Sequence, residues 1–179
     1  MQITCQICFD PELEKCLQSM RRNLAQEGYC SSQQGETRPH LTLGNWSFNF
    51  KDHQEMIISE LELIRQFPVT FDGVGQFPGQ FGSAFLLPVI SNQLHETYFK
   101  VQQIFNKYAD STDPYYTPDR WTPHCVMAFQ VNSTNLLLAA EALLAAQFPL
   151  KGTASFIAII ERSSGQVLHK ITCALNAEC

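Results

Sequence analysis

Residues 39–43 read Pro-His-Leu-Thr-Leu, and residues 123–127 read Pro-His-Cys-Val-Met. In both stretches the histidine and the residue two positions later alternate with other, mostly apolar side chains. This period of two predicts a β-strand with one buried face and an opposite face that carries the histidine. The buried faces would pack under helices, and the two histidine faces could line a cleft.

The same order of predicted elements follows each of the two histidines. Each histidine strand precedes an amphipathic helical pattern, then a Phe-Pro pair at residues 67–68 or 148–149, and then a further strand. Two copies of one order predict an internal duplication, with repeats at residues 37–90 and 121–174 in a single domain that covers residues 1–179. Such a duplication would relate two lobes by a pseudo-twofold axis and bring equivalent residues to a shared interface.

Helix start signals divide the rest of the chain. Asp10 followed by Pro11 is typical of a helix N-cap and first turn. Asp52 with Glu55 resembles a capping box, and Ser91 is a further candidate cap. The remaining predictions are strands near 3–9, 39–46, 69–74, 83–89, 122–130, 149–161 and 166–174, a helix at about 133–147, and a loop at 110–120. We therefore predict an α+β fold of two pseudo-symmetric lobes of antiparallel sheet, with helices on the outer faces and a central cleft.

The composition excludes several kinds of partner. A net charge of −5 argues against the basic surface that binds duplex DNA. No apolar run reaches the roughly 20 residues of a membrane span. A strand pattern begins directly after Met1 without a signal peptide, and seven cysteines without an export signal indicate reduced thiols. We expect a cytoplasmic monomer that binds neither duplex DNA nor a membrane.

Cys5 and Cys8 form a Cys-x-x-Cys pair inside the first predicted strand. An offset of three places the two thiols on opposite faces, so they cannot share a metal ion or form a disulfide while the strand is intact. We therefore predict no metal site and no cofactor.

A pair of histidines suits acid–base chemistry at phosphorus. An unperturbed histidine has a pKa of about 6.5, so one neutral and one protonated imidazole are both accessible near neutral pH. A neighbouring hydroxyl, such as that of Thr42, can hydrogen-bond phosphate oxygens as negative charge develops. His40 and His124 are the candidate catalytic pair, and the sequence does not distinguish the acid from the base.

The stretch His40-Leu41-Thr42-Leu43 resembles the His-x-Thr/Ser-x motif of the two-histidine (2H) phosphoesterases. This superfamily includes bacterial 2'-5' RNA ligase-like proteins and cyclic nucleotide phosphodiesterases. Residues 121–127 are similar to its second motif. The resemblance implies two α+β lobes around a cleft, metal-independent action on 2',3'-cyclic phosphates or 2'-5' linkages, and a phosphate-binding role for Thr42.

The second motif departs from the family pattern at Val126, where the family has threonine or serine. Valine keeps the shape of threonine but cannot donate a hydrogen bond, and a hydrogen bond to a charged group is worth roughly 1.5–3 kcal/mol. Losing it at the transition state corresponds to a reaction roughly tenfold to hundredfold slower. Candidate replacement donors to the phosphate are Arg120, Thr122, Tyr115, Tyr116 and Arg38.

Aromatic residues near the second motif form a candidate base-stacking surface. Tyr115, Tyr116 and Trp121 could each stack on a nucleobase, and packing between the lobes is the alternative explanation for each.

Three functions remain open from the sequence. The first is a phosphoesterase acting on a small nucleotide or an RNA 3' end, by hydrolysis or by ligation. The second is a non-catalytic nucleotide or RNA-end binding module whose second motif has degraded. The third is a hydrolase of a cyclic phosphate ester that is not RNA.

Overall fold

The structure is a computed structural model that describes residues 1–31 and 38–175. Its described strands are β1 (Gln2–Phe9), β2 (His40–Ser47), β3 (Phe67–Phe77), β4 (Gly82–Pro88), β5 (Ser111–Thr112), β6 (Cys125–Val131), β7 (Leu150–Glu161) and β8 (Val167–Thr172). Its described helices are α1 (Pro11–Gln26), α2 (Gln54–Leu61), α3 (Asn92–Asn106) and α4 (Ser133–Leu144). Within these ranges, no helix is long and apolar enough to cross a membrane.

The strands form one antiparallel sheet in the order β5-β2-β1-β7-β3-β4-β6, with β8 paired to β7. Strand β7 connects the two lobes, because residues 150–154 pair with β3 and residues 154–161 pair with β1. Residues 156–160 pair with β8 on the side away from β1. The histidine strands β2 and β6 therefore belong to different lobes, and the predicted α+β fold is confirmed.

The helices pack against the face of the sheet opposite to the histidines. Alternate residues of β2 and β6 are fully buried in the core cluster that also contains the apolar side of α1: Leu41, Leu43, Cys125, Met127, Leu13 and Leu17. The residues between them on the strands, His40, Thr42, His124 and Val126, are half-buried. The alternation predicted from the sequence is confirmed in both motifs.

Two of the three predicted helix caps are confirmed. The Asp10 carboxylate accepts hydrogen bonds from two backbone amides at the start of α1, and the Ser91 hydroxyl accepts one at the start of α3. The capping box at Asp52 is wrong. Asp52 ends a short 3-10 turn and its carboxylate accepts a hydrogen bond from Asn49 (2.7 Å), so α2 begins after His53 instead.

Candidate active site

Both motif histidines are held in the same way. His40 Nδ1 lies 2.8 Å from the carbonyl oxygen of Arg38, and His124 Nδ1 lies 2.7 Å from the carbonyl oxygen of Thr122. A carbonyl oxygen can only accept, so Nδ1 donates, and a neutral imidazole in this arrangement has an unprotonated Nε2. Each histidine is thus oriented through Nδ1 by the backbone two residues upstream, and Nε2 takes no part in this hydrogen bond.

Burial lowers the pKa of both imidazoles below the ordinary value of 6.5. The pKa of His40 falls to about 4. Burial is the main cause, the bond to the Arg38 carbonyl opposes it, and the positive charges of Arg21 and of protonated His124 lower the pKa further. Burial also lowers the pKa of His124, against the opposing bond to Thr122.

Arg21 of α1 connects the two motif strands beneath the histidines. Its side chain is almost fully buried, and its guanidinium donates to the backbone carbonyl of Val126 on β6. The neighbouring Cys125 thiol contacts both the Arg21 side chain and the backbone of His40 through hydrogen bonds that oppose the rise of its pKa on burial. The buried arginine therefore fixes the start of β6 next to the start of β2.

Arg21 was not predicted as a site residue, although its position in the helical pattern of α1 indicates that it is buried. The apolar stripe of α1 runs through Leu13, Leu17 and Leu24, and Arg21 occupies the position four residues after Leu17. An arginine inside an apolar stripe is buried with its helix, and a buried charge requires polar partners. Here the Val126 carbonyl of the second motif is one such partner.

Thr42 has the phenol of Tyr116 as a neighbour. Burial raises the pKa of the Tyr116 hydroxyl, the Asp113 carboxylate adds to this, and hydrogen bonds with the side chains of Thr42 and Asn45 act in the opposite direction. Tyr116 is half-buried. The face of β2 that carries His40 therefore presents two hydroxyl groups side by side.

Helix α3 holds Tyr116 in this position. The Tyr98 hydroxyl donates to the Tyr116 carbonyl at 2.8 Å, and Nε2 of Gln102 donates to the same carbonyl at 3.0 Å. Nε2 of Gln102 also donates to the Leu43 carbonyl at 2.8 Å, and Gln102 is buried. One helix thereby ties the segment before the second motif to the strand of the first.

The remaining predicted site residues differ in exposure. The Trp121 ring stacks on Tyr98 with 3.9 Å between centroids, and its indole nitrogen donates to the Thr42 carbonyl at 3.0 Å. Tyr115 is 67% exposed, and the exposed Arg120 guanidinium lies 4.9 Å from the Tyr115 ring centroid. Trp121 thus packs between the segments of the two motifs, whereas Tyr115 and Arg120 are open to solvent.

The surroundings of His124 are apolar and aromatic. The ring centroid of Phe77 lies 4.9 Å from that of His124, in an edge-to-face arrangement, and the ring of Phe85 lies at 5.0 Å. Val126 pairs with Phe85 across β6 and β4. Phe77, which is 41% exposed next to His124, was not predicted from the sequence. The sequence around Phe77 gives little indication of this contact, because the contact depends on the pairing of β3 with β4.

Cys5 and Cys8 lie in two separate hydrophobic clusters, as positions on opposite faces of β1 require. Burial raises the pKa of both thiols, that of Cys8 to about 12, so both are protonated at neutral pH. Within residues 1–31 and 38–175, there is no group of three or more metal-ligating side chains.

The fold and the histidine pair define the class of protein. Residues 48–166 match the 2'-5' RNA ligase superfamily, which is more than half of the chain, and the chain belongs to this superfamily. The matched region contains His124 and begins after His40. The resemblance to the 2H phosphoesterases is confirmed.

Solved structures with the same fold cover nearly the whole chain. The protein TT0787 of Thermus thermophilus has a TM-score of 0.61 and 14% identity, covering 99% of this chain and 100% of its own. LigT of E. coli in its apo form has a TM-score of 0.57 and 13% identity, covering 97% of each chain. Usb1 of Kluyveromyces marxianus has a TM-score of 0.55 and 11% identity, covering 96% of this chain and 97% of its own. No curated protein matches the sequence at a significant level.

Proposed function

We propose that this protein is a metal-independent phosphoesterase acting on a 2',3'-cyclic phosphate or a 2'-5' phosphodiester of RNA or a nucleotide. The observation that carries the proposal is the matched pair of imidazoles, His40 and His124. Each donates its Nδ1 proton to a backbone carbonyl and keeps Nε2 for proton transfer. Membership of the 2'-5' RNA ligase superfamily supports phosphoesterase chemistry on RNA. Among its structural neighbours, E. coli LigT has been crystallised with 3'-AMP and with ATP.

The two histidines take different roles in this mechanism. Because the pKa of His40 is about 4, the favoured singly protonated state has neutral His40 and protonated His124. His40 Nε2 then accepts a proton from the attacking water as its oxygen bonds to phosphorus. The bond from phosphorus to a ribose oxygen breaks, and His124 Nε2 gives its proton to that oxygen. One proton enters and one leaves, so the pair ends with exchanged protonation states.

The phosphate oxygens would be bound mainly from the side of β2. The hydroxyls of Thr42 and Tyr116 lie together on the His40 side, where they can donate to negative charge on the phosphate. Arg120 and Thr122, exposed in the segment that leads into His124, remain candidate donors to the same group.

A nucleobase would stack on an exposed aromatic ring near the histidines. Phe77 fits this role because it is partly exposed and touches His124. Tyr115 and Tyr116 remain candidates, while Trp121 already has one ring face covered by Tyr98. Base stacking on a single ring is worth roughly 1–3 kcal/mol and tolerates any base.

A non-catalytic nucleotide or RNA-end binding module is the second candidate. The apolar surroundings of His124, with Val126 in place of a hydroxyl residue, favour it. A hydrolase of a cyclic phosphate ester that is not RNA is a third candidate, with the same chemistry and a different leaving group.

One panel of reactions separates the three candidates. The protein is incubated in EDTA with four 2',3'-cyclic nucleotides, with 2'-5' dinucleotides and with an ADP-ribose cyclic phosphate, and products are separated by chromatography. We expect ring opening of cyclic nucleotides or cleavage of dinucleotides. Binding without product would support the module, and turnover of the ADP-ribose ester alone would support the third candidate.

We also propose that the protein works as a monomer in the cytoplasm. The buried thiols of Cys5, Cys8 and Cys125, free in the described structure, suit a reducing compartment.

A further inference from the structure

A cavity of about 540 Å³ lies next to the first motif and is lined by basic side chains. It is bordered by α1, by the residue two positions before His40, and by β7 and β8. Four of the chain's 12 lysines and arginines line it: Lys15, Arg22, Arg38 and Lys170. Among the described residues of its lining, the only carboxylate is that of Glu14. In a chain of net charge −5, this cavity is a local concentration of positive charge.

Two of these cations converge on one aromatic ring. The Arg38 guanidinium carbon lies 4.7 Å from the Phe156 ring centroid, and Lys170 Nζ lies 4.0 Å from it. Arg38 Nε also contacts Glu14 at 2.8 Å, which balances one of the two charges. Positive charges that line one cavity attract an anion into it.

Phe156, which lines the cavity, lies on the same face of the sheet as His40. His40 pairs with Cys8 across β2 and β1, and Cys8 pairs with Phe156 across β1 and β7. Directly paired residues share a face, and two strand spacings amount to roughly 10 Å. Arg38 connects the cavity with the histidine site, because its side chain lines the cavity and its carbonyl orients His40.

We propose that this cavity binds a second phosphate of the substrate, and that the substrate is a nucleotide or RNA end with a phosphate besides the one that reacts. The proposal rests on the proposed function, which places the reacting phosphate between His40 and His124. The positive charges at the cavity provide charge-assisted hydrogen bonds to phosphate oxygens. A 2',3'-cyclic mononucleotide without a 5' phosphate would leave this cavity unused.

Calorimetric titration compares the binding of adenosine 3'-monophosphate and adenosine 3',5'-bisphosphate at 0.1 M salt. We expect the native protein to bind the bisphosphate roughly tenfold or more tightly than the monophosphate, in line with a charge-assisted hydrogen bond. Lys170→Gln and Lys15→Gln, both at exposed positions, should each reduce this ratio severalfold. The control Lys51→Gln, at an exposed lysine that does not line the cavity, should leave the ratio at the native value.

The outcomes separate this proposal from the proposed function. Turnover of cyclic mononucleotides without any bisphosphate advantage overturns the cavity proposal alone. A Lys170-dependent bisphosphate advantage without turnover of any substrate supports the phosphate site and overturns the proposed function. The cavity proposal is also overturned if Lys170→Gln, like Lys51→Gln, leaves the ratio of bisphosphate to monophosphate affinity unchanged. It is overturned as well if the native protein binds neither nucleotide.

Discussion

At the scale of single residues, the two halves of the site differ in chemistry. His40 lies beside the hydroxyls of Thr42 and Tyr116, whereas His124 shares its strand face with Val126. A phosphate between the imidazoles would therefore receive hydroxyl donors from one side only. In the proposed reaction this asymmetry slows the chemistry, because developing charge on one side meets no donor from β6.

The substitution Val126→Thr tests this asymmetry. Threonine has nearly the same shape as valine and adds the hydroxyl of the family motif, so we expect kcat to rise roughly tenfold to hundredfold. The measurement is the steady-state hydrolysis of a 2',3'-cyclic nucleotide. Val167→Thr, at an exposed position on β8, is the matched control and should keep the native rate. An unchanged kcat in Val126→Thr would mean that this position does not face the phosphate.

The sequence could reveal some of these residues and not others. The histidines and Thr42 were predictable because strand period and duplication are local patterns. The Tyr116 hydroxyl and Arg21 are brought to the site by contacts between segments far apart in the chain. Arg21, for example, contacts the carbonyl of Val126, 105 positions away. The pattern of α1 indicates that Arg21 is buried, but its contact with Val126 depends on how α1 packs, which no local pattern encodes.

At the scale of elements, the segment between α3 and β6 is where prediction was least complete. The sequence predicts a loop there, and the segment contains the short strand β5, paired with β2, and a 3-10 turn at Pro114–Tyr116. The Asn45 side chain donates to Asp113 at 3.1 Å, and Trp121 and Gln102 add the bonds described above. The failed capping box at Asp52 has the same origin, because a local pattern does not reveal which neighbour takes the carboxylate.

The substitution Gln102→Leu tests how strongly α3 holds this segment. Leucine would remove the donor to the carbonyls of Leu43 and Tyr116, and an unsatisfied buried acceptor costs roughly 1–3 kcal/mol. We expect the free energy of unfolding, measured by urea denaturation, to fall by about that amount. Gln103→Leu, at the exposed neighbouring position, should change it by less than about 0.5 kcal/mol. Equal effects of the two substitutions would contradict an anchoring role for Gln102.

At the scale of the whole molecule, β7 joins the two lobes, and the elements that repeat along the chain are divided between them. The order β2–α2–β3–β4 recurs as β6–α4–β7–β8, and the last two strands of each set pair with each other. This repetition supports the predicted duplication at residues 37–90 and 121–174, which remains a prediction. Because β2 and β6 belong to different lobes, each lobe contributes one histidine to the proposed site.

The pH dependence of the whole enzyme follows from the two lowered pKa values. In the proposed mechanism the active form has neutral His40 and protonated His124. The value of kcat/KM should therefore rise as pH increases through about 4 and fall as pH increases through a value below 6.5. The pH profile of kcat should be displaced to higher pH than that of kcat/KM, because a bound phosphate anion raises the pKa of nearby histidines. A kcat/KM maximum above pH 7 would contradict the lowered pKa values of the two histidines.

The most direct test of the histidine pair is the rate of 2',3'-cyclic nucleotide hydrolysis by His40→Ala and His124→Ala. We predict that each substitution lowers kcat by roughly 10²–10⁴, the usual contribution of a general acid or base. The double variant should be little slower than either single one, because the two groups act as a unit. His169→Ala, at an exposed position on β8, should match the native rate, and circular dichroism checks that all variants are folded. A native rate in folded His124→Ala or His40→Ala would contradict the paired mechanism.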